Sequence, residues 1–352
     1  MNAEFFSALD AIEKEKGIPK SYMKEKITQA LIAAYRRDNL GAGTGENVVV
    51  HWDDKKKAIT MQAQKEVVEE VEDDILQISL EAAREIDSKM DIGDVVCFDV
   101  KTHDFGRIAA QTAKQVIIQG IREAERGMVF QEFTSKEHEV ISGTVVRVDQ
   151  RGAIVLSLSS GSPDKAEALL GINEQIPGEM FREGDRIRVY VAQVRNMPKG
   201  PQIIISRTHP GLVKRLFELE VPEIADGIIE IRSISREAGS RTKIAVWSED
   251  PNVDPIGACV GPRGSRVNAI VEEINGEKID IVKYSDDPVE FVSAALAPSA
   301  VVSVEILDEE CKTCRVVVPF DQLSLAIGKE GQNVRLAAKL TGMKIDIKAD
   351  VG

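Results

Sequence analysis

Two four-residue turns carry the residues best suited to hold a ligand. Gly261-Pro262-Arg263-Gly264 lies 67 residues before Gly328-Lys329-Glu330-Gly331. Glycine at both ends of such a turn lets another backbone come close. A helix that follows directly offers unpaired N–H groups and the positive end of its dipole, so the arrangement suits a phosphate. Arg263 and Arg266 beside the first turn, and Lys329 and Arg335 beside the second, would add Coulombic attraction. Ser265, Gln332 and Asn333 adjoin the turns and complete the candidate set. Glu330 works the other way, because an acid inside the second turn opposes an approaching phosphate.

The surrounding pattern repeats as well. Gly276-Glu277-Lys278-Ile279-Asp280-Ile281 precedes Gly342-Met343-Lys344-Ile345-Asp346-Ile347 by 66 residues. In each copy a short apolar helix, Ile256 to Val260 or Leu323 to Ile327, leads into the turn. A second helix follows, expected to face inward with Val267, Ile270, Val271 and Ile274 or with Val334, Ala337 and Ala338. A strand then returns. Helix, G-x-x-G, helix, strand resembles the KH domain, whose loop clamps about four nucleotides of single strand while an adjoining apolar groove reads base edges. One G-x-x-G is weak evidence; two in matching contexts are not.

Upstream, five short strands about ten residues apart are expected at Val140 to Val148, Ala153 to Leu158, Ala166 to Leu170, Arg186 to Val194 and Gln202 to Ser206. They resemble an oligonucleotide-binding barrel of the ribosomal-protein S-one type, which stacks bases on aromatics and tracks phosphates with cations. Ala153 and Ile154 stand where related barrels often carry an aromatic. Phe181 and Tyr190 remain as candidate stacking groups, with Arg182, Arg186, Arg188 and Arg207 as cations. The alternative is a spacer that packs on its neighbours.

The first third patterns as an α+β domain. Helices are expected at residues 3–16, 21–38, 79–86 and 108–130, with a hairpin of Val48 to Trp52 and Ala58 to Gln62 and a strand at 94–101. The Gly41 to Gly45 stretch reads as a linker, because a helix precedes it and a strand follows, the reverse of a dinucleotide loop. The acidic run Glu66 to Asp74 reads as a solvated surface, with a contact to a basic partner as the alternative.

Composition sets the frame. The 352 residues carry 45 Lys and Arg against 58 Asp and Glu, a net charge of -13, which excludes a uniformly basic sheath over nucleic acid. Residues 1–133 and 207–352 hold the excess acid, while 134–206 balance. A 43% apolar content supports several cores. No apolar run approaches the roughly 18 to 20 residues of a membrane span, and the first residues lack a basic segment leading into an apolar one, so an unexported, cytoplasmic chain is expected. Four cysteines are too few for a disulfide framework and suit a reducing compartment. Cys311 and Cys314 have half the spacing of a zinc site but no second half, and are expected in the turn of a hairpin. No Walker loop, G-x-S-x-G or H-E-x-x-H occurs, so neither a cofactor nor an enzyme is anticipated.

Three stretches carry a resemblance that extends over essentially the whole chain: Asp254 to Val267, Gln322 to Gly342, and the bridge Leu216 to Ile224. Together with the opening Phe5-Phe6-Ser7-Ala8-Leu9 helix and the order barrel, KH, KH, they resemble the NusA family of bacterial transcription elongation, termination and antitermination factors, in a short form without C-terminal acidic repeats. The resemblance implies a multidomain α+β chain: residues 1–133 binding RNA polymerase near its flap and RNA exit channel, an OB-type barrel at 134–206, and KH domains at 207–300 and 301–352. It further implies a monomeric, non-enzymatic factor that meets nascent single-stranded RNA, promotes pausing and intrinsic termination, and joins other Nus factors in antitermination. A ribosome- or ribonuclease-associated accessory factor using the same RNA modules is the alternative, and an adaptor whose KH domains have lost RNA is a third.

Overall fold

The computed structural model describes residues 3–38, 47–100, 105–158 and 166–350, and the chain divides into two compact units, residues 1–128 and 129–352. The expected linker at 41–45 lies outside the described residues.

In the first unit, α1 (Ala3–Lys16) and α2 (Lys20–Asp38) precede β1 (Val48–Asp53), β2 (Ala58–Val68), β3 (Gln77–Ser79), α3 (Leu80–Ile86) and β4 (Val95–Asp99). Met23, Ile27 and Leu31 recur every fourth residue of α2 and bury against Leu9, Val48 and Met61. β2 is the hub of the sheet, pairing antiparallel with β1 and β4 and parallel with β3. That pairing corrects the expectation of a solvated run from Glu66. Glu66 to Val68 belong to β2, and Val67 is fully buried, because alternate side chains of a paired strand must face the core. α4 (Phe105–Thr134) is longer at both ends than its pattern suggested.

The second unit begins with a barrel of β5 (Val140–Val148), β6 (Ile154–Leu158), β7 (Ala166–Leu170), β8 (Arg186–Met197) and β9 (Gly200–Ser206). Their order is β7-β6-β5-β8-β9, and the end strands β7 and β9 pack on each other, which nearly closes the sheet into an OB-type barrel. Leu156, Leu158, Leu170, Val189 and Ile205 fill it, and Phe133 of α4 joins their cluster.

Two copies of one topology follow. The first comprises α5 (Pro210–Glu220), α6 (Pro222–Ala225), β10 (Glu230–Glu237), β11 (Arg241–Trp247), α7 (Pro255–Val260), α8 (Ser265–Glu273) and β12 (Lys278–Lys283). The second comprises α9 (Pro288–Ala295), β13 (Ser303–Asp308), β14 (Thr313–Pro319), α10 (Leu323–Ile327), α11 (Gln332–Thr341) and β15 (Lys344–Asp350). In both sheets an antiparallel hairpin is joined by a returning strand parallel to its second member, β12 beside β11 and β15 beside β14. The inward face of α11 differs from expectation. Asn333, Leu336, Ala337 and Leu340 are buried, while Val334 and Ala338 are only partly covered. Asn333 disguised the stripe by being polar.

The modules share cores. Tyr190 of the barrel joins Leu212, Val213 and Ile244 of the first copy, and Ala245 and Val282 of the first copy join Val316 and Leu340 of the second. Among the described residues no helix is long and apolar enough to cross a membrane.

Candidate nucleic-acid interface

Local sequence dictates each turn. Asp254 caps α7 by accepting from the Ile256 N–H at 3.1 Å, and Pro255 occupies its first position, where a missing N–H does no harm. The helix stops at Gly261, whose φ of 72° and ψ of 174° are open to glycine and strained for other residues. A Cβ there would lie 2.7 Å from Arg266 Cγ, and one at Gly328 would lie 2.8 Å from the Asn333 backbone nitrogen, so the loop can fold back on its helix only with glycine.

The two loops share one backbone conformation. Gly261, Arg263 and Gly264 have φ/ψ of 72/174°, 55/27° and 78/13°, against 75/172°, 53/29° and 73/16° for Gly328, Glu330 and Gly331. Arg263 and Glu330 are held in the left-handed region, a strain of about 1 kcal/mol or more that persists only where the surroundings impose it. Neither α8 nor α11 receives a side-chain cap from Gly264 or Gly331. The Ser265 and Gln332 N–H groups donate to the Pro262 and Lys329 carbonyls inside the loops, and with no side-chain oxygen over either helix the positive dipole end faces the turn.

Pro262, Arg263, Ser265, Lys329 and Glu330 are exposed together with these loops. No carboxylate among the described residues pairs with Arg263 or Lys329. The remaining candidates have other engagements. Arg266 donates from Nη1 to Glu223 Oε2 at 2.9 Å and to the Ala258 carbonyl at 2.7 Å, tying α8 to α6 and α7. Gln332 donates to Glu237 Oε2 and Ser240 Oγ, at 2.9 and 2.7 Å, on the hairpin of the first copy. Arg335 reaches Glu237 Oε1 at 2.6 Å, and that hydrogen bond holds the Glu237 carboxyl below its ordinary range. These two side chains thus brace the second copy against the first.

Asn333 and Arg207 are corrections. Asn333 is 1% exposed, and its amide donates to the carbonyls of Leu296 and Ala326 at 3.0 and 3.1 Å, so it cannot reach a ligand. Arg207 is 2% exposed, with Nε 2.9 Å from Glu179 Oε2 and Nη1 3.2 Å from Glu273 Oε1. Burial opposes its charge, but the two carboxylates outweigh that and hold the guanidinium above its usual range. It joins barrel to first KH domain instead of facing solvent.

The barrel's stacking candidates are also committed. Tyr190 is buried, stacks on His209 with centroids 4.5 Å apart, and has its hydroxyl 3.1 Å from His138 Nδ1. Phe181 packs on the barrel core with the Arg207 guanidinium 5.6 Å from its ring centroid. Arg182 and Arg186 are exposed, whereas Arg188 lies 3.8 Å from Glu273.

Sequence reading missed the acids that organise this region. The side chains of Arg236 and Glu277, both fully buried, pair at 2.9 Å, and Arg236 also donates to the carbonyls of Arg207 and His209. Lys243 is buried with Asp280 at 2.9 Å; burial pulls its pKa down and Asp280 pushes back. Nothing in local spacing marks these pairs, whose partners lie 41 and 37 residues apart respectively. Cys314 corrects another expectation, since it lies in β14 with its side chain in the core, and only Cys311 is in the turn. Burial raises the Cys314 thiol and pushes that of Cys259 up to about 12, which makes both unreactive. Among the described residues no cluster of three or more His, Cys, Asp or Glu is arranged to hold a metal.

Comparison with known proteins identifies the modules. The family model of the NusA N-terminal domain matches residues 4–127, that of the NusA-like first KH domain residues 207–284, and that of the NusA-like second KH domain residues 288–351. A transcription termination/antitermination protein NusA of Halalkalibacterium halodurans is 55% identical over 350 residues, covering 99% of this chain and 89% of the relative. That of Bacillus subtilis is 54% identical, covering 99% and 92%, and that of Thermus thermophilus 42% identical, covering 98% and 89%. With its two KH domains indicating RNA binding, the chain belongs to the NusA family of transcription termination/antitermination proteins and is not an enzyme.

Proposed function

We propose that the chain docks on RNA polymerase through residues 1–133 and holds the emerging single-stranded transcript with both G-x-x-G loops, promoting pausing and intrinsic termination and joining other Nus factors in antitermination. It acts as a monomer in the cytoplasm, with residues 134–206, 207–300 and 301–352 as successive modules along the RNA. The observation that carries this reading is the matched pair of loops, each opening on an uncapped helix N-terminus, in a chain of this family. Gly261, Pro262, Arg263, Gly264 and Ser265 supply the first contact and Gly328, Lys329, Gly331 and the α11 N-terminus the second. Arg266, Gln332 and Arg335 hold those loops in place.

In vitro transcription across a hairpin terminator, with and without the protein, tests the reading. The terminated fraction should rise with the protein present and fall back when Arg263 and Lys329 are both replaced by Glu. Equal fractions in all three reactions would overturn it. Retention of polymerase by residues 1–133 tests the docking half separately.

A further inference from the structure

The two KH copies differ in the apolar side chains of the segment that leads into the loop. Aligning Gly261 with Gly328 places Val253 opposite Phe320, Ala258 opposite Leu325 and Val260 opposite Ile327. The first three are only partly covered and small, and Val253 packs on the first copy's core. Phe320, by contrast, is 73% exposed, and Leu325 and Ile327 are exposed as well. An aromatic side chain left this open has no packing role to explain it.

Its position is informative. Phe320 follows Pro319, which pairs with Asp350 at the end of β15, and α10 then runs from Leu323 to the loop at Gly328. α10 lies against the edge strand β15, which exposes Lys344 and Lys348. Phe320 lies eight positions before Gly328, roughly 12 Å at helical rise. Asp321 follows Phe320 in the chain and Asp350 pairs with the preceding Pro319, both exposed, so acid at this end disfavours a phosphate contact there and leaves stacking as the contact Phe320 can make.

The first copy has no such platform. Its nearby aromatics are used internally: Trp247 lies under the Arg232 guanidinium at 4.3 Å, and Tyr284 sits edge-on to Phe291 at 4.9 Å. The acid in the second loop then has a counterpart. Glu330 weakens phosphate attraction in the copy that gains an aromatic shelf, while Arg263 strengthens it in the copy that lacks one.

We propose that Phe320 is a base-stacking platform at the far end of the second KH groove, so that this copy grips single-stranded RNA chiefly by stacking and the first copy chiefly through phosphates. The proposal rests on the reading that both KH domains hold RNA. Binding of an unstructured RNA oligonucleotide carrying 2-aminopurine tests it, using the full-length chain and its Phe320→Ala, Phe320→Trp and Arg263→Ala variants over a range of salt concentrations.

Phe320→Ala should weaken binding roughly tenfold, in line with the loss of one base–aromatic stack, and abolish the quenching of one 2-aminopurine position. Its log affinity against log salt should keep the wild-type slope, and Phe320→Trp should restore both affinity and quenching. Arg263→Ala should instead flatten the slope by about 0.7. If Phe320→Ala binds and quenches like wild type while Arg263→Ala is weakened, the platform is refuted and RNA binding stands. A changed slope for Phe320→Ala, or failure of tryptophan to rescue, also refutes stacking. A wild-type chain that binds no RNA removes both readings together.

Discussion

Arg263 and Glu330 occupy the same left-handed position in loops of the same conformation, one a cation and the other an acid. The backbone offers both anion-binding dipoles alike, so side-chain charge is what separates the two copies. An aspartate at Gly264 or Gly331 should therefore have similar structural consequences, since φ is 78° and 73° and each substitution forces a non-glycine residue into the left-handed region at about 1 kcal/mol. The fit is slightly tighter at Gly264, where a Cβ would meet Asn268 Nδ2 at 3.2 Å, than at Gly331, where Val334 lies 4.0 Å away. For RNA the two should differ. Gly264→Asp puts an acid beside the arginine loop, whereas Gly331→Asp adds one to a loop that already has Glu330. We expect the first to lower single-stranded RNA affinity several-fold more than the second, with thermal midpoints within a few degrees of each other. Anisotropy titrations at one fixed salt concentration decide it, and equal losses would mean the loops share the phosphate load equally.

At the scale of elements, ion pairs position the loops. Arg207 links barrel to first KH domain through Glu179 and Glu273, and Arg335 with Gln332 links the second copy to Glu237. Arg207→Met leaves the Glu179 side chain, 5% exposed, without its cation, and should destabilise this unit by about 3–5 kcal/mol. Removing the stranded charge as well, with Glu179→Leu, should recover part of that loss. Denaturant unfolding followed by Trp247 fluorescence in a Trp52→Phe background measures the cycle; a double variant no more stable than Arg207→Met would show that the carboxylate is not the source of the penalty. Sequence made the strands, the short helices and the turns legible, because periodicity, glycine and proline are local signals. It misplaced Tyr190, Arg207 and Asn333. Each has a residue type common in RNA sites, and each is engaged by partners visible only after folding: His209 beside the tyrosine ring, Glu179 and Glu273 about the guanidinium, and main-chain carbonyls about the amide.

For the whole molecule, the charge of -13 acquires a different meaning once the acids are located. Glu179, Glu237, Glu273, Glu277 and Asp280 pair with arginines and lysines inside the second unit, which leaves the net charge unchanged but takes those cations, as well as those acids, out of the set available to RNA. On the proposed reading, a transcript would meet a small number of exposed cations at two loops, on a chain that still carries excess acid. With two to four phosphates neutralised, log affinity against log salt should fall with a slope of only about -1.5 to -3, and binding of free RNA should be modest. On the proposed reading, attachment to polymerase would supply what the contacts lack, since a short tether raises the effective concentration of the emerging strand toward millimolar. Deleting residues 1–128 should then leave the affinity for a free oligonucleotide within about twofold while removing the effect on a hairpin terminator at protein concentrations that saturate the full-length chain. Raising the truncated protein well above its oligonucleotide Kd should restore RNA occupancy, and if it also restores termination, polymerase docking serves only to concentrate RNA. If termination stays absent at full occupancy, the N-terminal domain acts on polymerase directly and the KH domains serve to hold the RNA where that action is needed.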